Sequence, residues 1–303
     1  MTELQSVGAQ FTLAETPSPE QPGEATSHAK KAPGRDGKIL TLLGTGILVA
    51  LALAAFVGPY LHPFDYAEQD HSAILEPPSA HHWFGTARLG EDVLAQTLHG
   101  LQKSLLIGIS VAILATTIAA VVGMLAGLLR GGVDTVSMWT VDSLLILPPI
   151  LVIAVLSPTF MDRSWLFLII AIAAFQWMLP ARMIRARTHT LRVSGFVRAS
   201  RTMGASTWHV MRVHLLPNMI PLLAIDCALT VATAVLAEAG LSYFGFGVQP
   251  PDVSLGTLIS SGSTSAVTYP WVFLAPAATL VVTVLGVGMV GEGIRRSREA
   301  AAT

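Results

Sequence analysis

Charge is what this sequence is poorest in. Only 12% of its 303 residues are Asp, Glu, Lys or Arg, where a soluble globular domain carries roughly 25%. A water-soluble fold of this length is thereby excluded. With a net charge of −1, so is a strongly basic surface that would hold nucleic acid. Cysteine is nearly absent: the single Cys227 cannot close an internal disulfide. Nothing near it suggests a lowered pKa or a metal cluster, and it reads as a small packing residue in an apolar block. The phosphate loop of a nucleotide hydrolase is missing too. Such a loop ends in Gly-Lys-Ser/Thr, and the one Gly-Lys pair, Gly37-Lys38, runs into Ile39. The chain is expected to be no enzyme and to hold no cofactor of its own.

Apolar residues fill the space that charge leaves. They make up 52% of the chain, the mean hydropathy is +0.61, and they arrive in long uninterrupted blocks. A helix crossing ~30 Å of hydrocarbon needs roughly 20 such residues. Six blocks meet that need: residues 39–59, 104–129, 136–157, 165–181, 219–237 and 271–291. Peptide groups in lipid must be satisfied internally, so each is expected to be helical. The fold class is therefore all-α integral membrane protein with six transmembrane helices. Pro148 and Pro149 should kink the third span, and Pro276 the sixth more mildly. Residues 1–38, rich in Pro, Ser, Thr, Gly, Glu and Lys, have little to bury and read as a disordered tail. They are too long and polar for the start of a cleaved signal, so 39–59 is taken as a retained span.

The arginines and lysines orient the chain. If the N-terminus is cytoplasmic, fifteen of the 18 basic residues fall on the inner side, leaving Arg88, Lys103 and Arg163 outside. This bias places both termini inside and requires an even number of spans. The expected plan is a cytoplasmic tail (1–38), a first span (39–59), an extracytoplasmic segment (60–103), a five-helix core (104–293) and a cytoplasmic tail (294–303). A further outer segment, 241–270, is rich in Gly, Ser and Pro and reads as a compact loop with one short helix near 255–260.

The inner segment 182–217 is the most informative. It holds seven arginines, which on charge alone fit membrane anchoring, binding to acidic lipid or docking to a protein. Phe196, Ala199, Ser200 and Met203 recur at i, i+3, i+4 and i+7, with Arg198 and Arg201 on the opposite face of that helix. Gly204 interrupts, and a second helical stretch from Thr207 runs to Pro217 and Asn218. A narrow apolar ridge beside charge, broken by glycine, suits insertion into a groove on a soluble partner better than a lipid surface.

The stretch Arg198-Ala199-Ser200-Arg201-Thr202-Met203-Gly204, followed by His214-Leu215-Leu216-Pro217-Asn218, resembles the "EAA" loop of binding-protein-dependent ABC importer permeases. It departs from the pattern at Arg198, where the family has glutamate, and at Ser200, where it has alanine. His82-Trp83-Phe84-Gly85-Thr86 with Leu89-Gly90-Glu91-Asp92-Val93 is similar to a signature of the C-type permease subunits of oligopeptide and dipeptide importers, apart from Ala87 and Glu91. Glu238-Ala239-Gly240-Leu241-Ser242, with Gly245, Gly247, Gln249, Pro250 and Pro251, looks like a further turn of the same family. The motifs stand in the family's order over residues 80–293. The resemblance implies an ABC type I importer permease fold in the cytoplasmic membrane. It also implies a B-type permease partner, ATPase subunits that bind ATP and Mg, and an extracytoplasmic substrate-binding protein. The cargo would be oligo- or dipeptides, with a nickel or metal chelate, haem or glutathione as alternatives. A secondary transporter would need inverted repeats and mid-membrane charges, which the sequence does not supply.

The candidate coupling residues are thus Phe196, Arg198, Ala199, Ser200, Arg201, Met203 and Gly204. Asp142 and Asp226 lie within spans and Glu238 near the end of one, with no basic mate evident in the spans. An acid there costs ~2.5–3.5 kcal/mol, so each either lines a translocation path or bonds to a Ser or Thr of a neighbouring helix. His62, His71, His81 and His82 invite a metal reading, but adjacent histidines diverge and need further ligands. No metal site is assigned.

Overall fold

The computed structural model describes residues 33–159 and 164–302. Residues 1–32 of the expected tail, and Arg163, lie outside the described residues. The long first helix, α1 (Pro33–Leu61), already includes residues 33–38, which are helical where the sequence suggested disorder. After it come α2 (Val93–Leu129), α3 (Gly131–Leu145), α4 (Pro149–Leu156), α5 (Ser164–Gln176) and α6 (Met178–Arg192). Next are α7 (Gly195–Thr202), the single turn α8 (Thr207–His209), a π-helical stretch (Val210–Leu215) and α9 (Leu216–Tyr243). The short α10 (Leu255–Ser263) and the long α11 (Pro270–Ala302) complete the chain. Among the described residues, extended backbone pairs once, in an antiparallel bridge between Thr86 and Asp92.

Four helices are long and apolar enough to cross a membrane, and the bent pairs α3–α4 and α5–α6 make six if each is counted as one span. The bends have sequence causes. Pro148 and Pro149 both lack the N–H that a continuing helix needs, and a residue before proline is driven out of the α region. Pro148 accordingly sits at ψ 113°, extended. The result is a 77° turn between α3 and α4, a break where the sequence suggested a kink. Pro180 removes the donor that would bond the Gln176 carbonyl, and the chain bends by 42° there. Past that bend α6 runs on to Arg192. The helix does not stop at Ala181 as expected, and Arg182, Arg185, Arg187 and Arg192 ride on it instead of lying in a loop. Likewise the second stretch of the inner segment is no separate helix: Thr207 to Tyr243 is one continuous rod. Pro217 has no N–H to give, and the π-turn before it, where the Leu216 N–H reaches Met211 O, absorbs the misfit.

Helix α2 is the mast of the bundle, packing on α1, α3, α5, α6, α9, α10 and α11. Small residues let it do so. A Cβ at Gly123 would sit 2.6 Å from the Ala181 carbonyl oxygen, and one at Gly127 would sit 2.5 Å from Thr188 Cβ. The two glycines, four apart, form a flat seat for the backbone of α6. The same device joins the chain's two ends: a Cβ at Gly44 of α1 would lie 2.7 Å from Gly286 O of α11. Van der Waals contact at short backbone separation is the main attraction available between helices in lipid, so these seats carry much of the packing energy. Gly127→Val should therefore cost about 1–3 kcal/mol by overpacking. Gly46, with nothing within 4 Å of a Cβ, should accept alanine without loss. Thermal unfolding midpoints of the detergent-solubilised protein, compared for the two variants, check this.

Candidate coupling surface and translocation groove

At the arginine-rich end, α7 is held by one side and presents the other. Val197 is completely buried, in a cluster with Leu128 of α2, Ile184 of α6 and Val210, Met211, Leu215 and Met219 at the foot of α9. Ser200 is buried beside it, and the Arg201 guanidinium reaches the Leu128 carbonyl at 3.5 Å. Phe196, Arg198, Ala199 and Met203 are exposed, Met203 by 81%. The expected grouping is therefore corrected: Ser200 does not share the face of Phe196, Ala199 and Met203 but points into the bundle. Helical spacing alone could not separate them, because Val197, which decides which side is in, sits one residue from Phe196 and from Arg198. The helix ends in a Schellman motif, with Ala205 N donating to Ser200 O and Gly204 N to Arg201 O. Gly204 has φ +83° and open space where a Cβ would lie, so backbone conformation and not room is what requires glycine there. Ser206 then caps α8, its side chain accepting from His209 N at 3.2 Å.

The three acids do not converge. Asp142 is paired with Arg182, and Asp134 takes a two-pronged contact from Arg185 (Nη2 at 2.7 Å). The basic mates that the sequence did not reveal lie on the unforeseen extension of α6. Glu238 is fully buried and accepts from Ser104 Oγ (2.7 Å) and Ser242 Oγ (2.6 Å). Those hydroxyls in turn accept from the backbone N–H groups of Leu255 and Val248. One carboxylate thereby ties α2, α9, α10 and the turn between the last two into one network. Asp226 receives Thr116 Oγ1 at 3.2 Å and lines a groove of about 480 Å³. That groove runs between α4, the α5–α6 break and α9, with Gln176, Thr230 and Thr233 also on its wall. Thr233 Oγ1 donates to Gln176 Oε1 at 3.0 Å. Of the three acids, only Asp226 lines this groove.

At the opposite end, the His82-to-Asp92 motif is a joint. Asp92 caps α2 through Ala95 N (2.8 Å) and accepts from His62 Nε2 (3.0 Å) and His82 Nδ1 (2.9 Å). The residue that follows α1, and the loop beyond it, are thus locked to the start of α2. At the same end, Asp70 accepts from Ser72 Oγ (2.5 Å) and Ser72 N, which lowers its pKa.

Residues 119–297 match the family described as "Binding-protein-dependent transport system inner membrane component". Residues 40–78 match the "N-terminal TM domain of oligopeptide transport permease C". The chain belongs to this family of transport permeases. It is 47% identical over 249 residues to the oligopeptide transport system permease protein OppC of Mycobacterium tuberculosis (strain ATCC 25618 / H37Rv), covering 82% of this chain and 86% of that one. The OppC of Bacillus subtilis (strain 168) is 34% identical over 256 residues, 84% of each. The permease is a multi-pass membrane protein, and the family's motifs fall on its joints: the α7–Gly204 turn, the Asp92 cap and the Glu238 network.

Glu238→Ala should lower the stability of this permease by about 2–3 kcal/mol, since it strands hydroxyls that now bond to a buried acid. Glu238→Gln, which keeps an acceptor, should cost roughly half as much. Chemical denaturation in detergent, read by tryptophan fluorescence, distinguishes the two.

Proposed function

We propose that this permease is the membrane-spanning subunit of an ABC importer that moves peptides by alternating access. The observation that carries this is the two-sidedness of α7. An apolar ridge of Phe196, Ala199 and Met203 faces out, while Val197 fastens the same helix to α2, α6 and the foot of α9. A push on the ridge is thus a push on the bundle. The partner that pushes is a separate ATPase, binding ATP and Mg, because the chain has no phosphate loop of its own. The 15-to-3 bias of Lys and Arg puts α7 and both termini in the cytoplasm, with the chain in the cytoplasmic membrane. The OppC name of its relatives supports oligopeptides as cargo. The groove along α9 is open at one side, which calls for a second permease chain to complete the path. The distal surface around Arg88, Gln249 and Asp252, with its cavity of about 790 Å³, would receive the substrate-binding protein.

ATP-driven closure of the ATPases would move α7, and α9 would carry the movement to the groove. Replacing Phe196 and Met203 together by aspartate should cut ATP-dependent peptide uptake at least tenfold and release the ATPase on purification. Gly204→Val forces a β-branched residue to positive φ, at about 1–2 kcal/mol, and should uncouple ATP hydrolysis from uptake. Undiminished uptake by either variant, in a complex shown to be inserted, would remove the coupling role.

A further inference from the structure

The groove beside α9 is one-sided in its charge. Of the described residues that line it, Asp226 alone is charged; the rest are apolar or neutral, such as Ile150, Phe175, Gln176, Thr230 and Thr233. Asp226 is 9% exposed, has one hydrogen bond, from Thr116, and forms no ion pair with a described residue. The other acids on the spans are provided for, Asp142 by Arg182 and Glu238 by two serines, as is Asp134 in the first turn of α3 by Arg185. A carboxylate in a low-dielectric wall attracts a cation and repels an anion, because little water screens it.

We propose that the groove takes the ammonium group of the transported molecule against Asp226, so that this half of the path favours the cationic end of a zwitterionic peptide. The inference rests on the groove being part of the path. The ammonium could belong to the peptide's N-terminus or to a lysine side chain, and both would meet the same carboxylate.

Two measurements on the assembled transporter test it. With Cys227→Ala and Thr233→Cys in place, the groove thiol is challenged with methanethiosulfonates carrying either a trimethylammonium or a sulfonate. The ratio of the cationic to the anionic rate is expected to fall about tenfold when Asp226→Asn is added, and to persist in Asp226→Glu. An unchanged ratio overturns the proposal and leaves the groove on the path. Failure of both reagents to react, with and without ATP, takes the groove off the path and the proposal with it. The second measurement is uptake of Ala-Ala-Ala and Ala-Lys-Ala by Asp226→Asn, at binding-protein concentrations that saturate each. Loss of both by about tenfold identifies the terminal ammonium; loss of Ala-Lys-Ala alone identifies the side chain. Uptake of both at the original rate overturns the proposal.

Discussion

A peptide N–H or C=O in hydrocarbon has no water to turn to, and each one left unpaired costs several kcal/mol. That constraint decides where this bundle can be irregular. Its two breaks, at Pro148–Pro149 and before Pro180, lie inside the two bent pairs that count as candidate spans, and they line the same groove. Broken backbone at membrane depth is tolerated where protein or an internal cavity covers it. Two helices interrupted by proline at one place thus argue for a cavity there as firmly as the empty volume does. The π-turn ahead of Pro217 is a gentler answer to the same problem: the helix keeps its direction and bonds one residue further back.

Continuity of the α8–α9 rod is what connects the distant parts. From Thr207 to Tyr243 it spans 37 residues, about 55 Å. Its foot packs on Val197 of α7, its middle carries Asp226 and Thr233 on the groove, and its far end holds Glu238 in the serine network. Asp226 and Glu238 are twelve residues apart, about 18 Å along the axis. They are therefore separate devices on one rod, one facing the groove and the other welding the rod to α2 and α10. Close-packed helices shift as units rather than deform. On the proposed coupling, a displacement of α7 would be taken up at the breaks in α3–α4 and α5–α6, which edge the same groove.

The apolar blocks made the spans legible, because length and hydropathy are one-dimensional properties that survive without tertiary information. The short α10 and the glycine turn after α7 were legible for a related reason: Ser, Gly and Pro chemistry acts over four or five residues. What escaped was whatever depends on a partner distant in sequence. Asp142 looked isolated because Arg182 is forty residues away and was assigned to a loop. Once α6 is seen to run on past Ala181, the two face each other. Ser200 was grouped with the outward ridge because helical periodicity fixes spacing but not phase, and Val197 supplies the phase only by contact with the cluster of Leu128, Ile184 and Met219. Gly123 and Gly127 did carry a readable signal, two glycines four apart in an apolar helix, which marks the seat of α6.

The division of labour within α7 also accounts for its departure from the family pattern. Val197 and Ser200 face inward and are fixed by the bundle they pack on. Phe196, Arg198, Ala199 and Met203 face outward, with Phe196 beside the His214 ring at 6.0 Å between centroids. Arg198 is exposed and forms no ion pair among the described residues. The arginine that departs from the resembled loop pattern therefore leaves the fastening of the helix intact. On the proposed docking to an ATPase, the difference would be answered across the interface, by the cleft that receives the helix. Residues on the inner side of α7 should follow the fold, and those on the outer side should follow the ATPase.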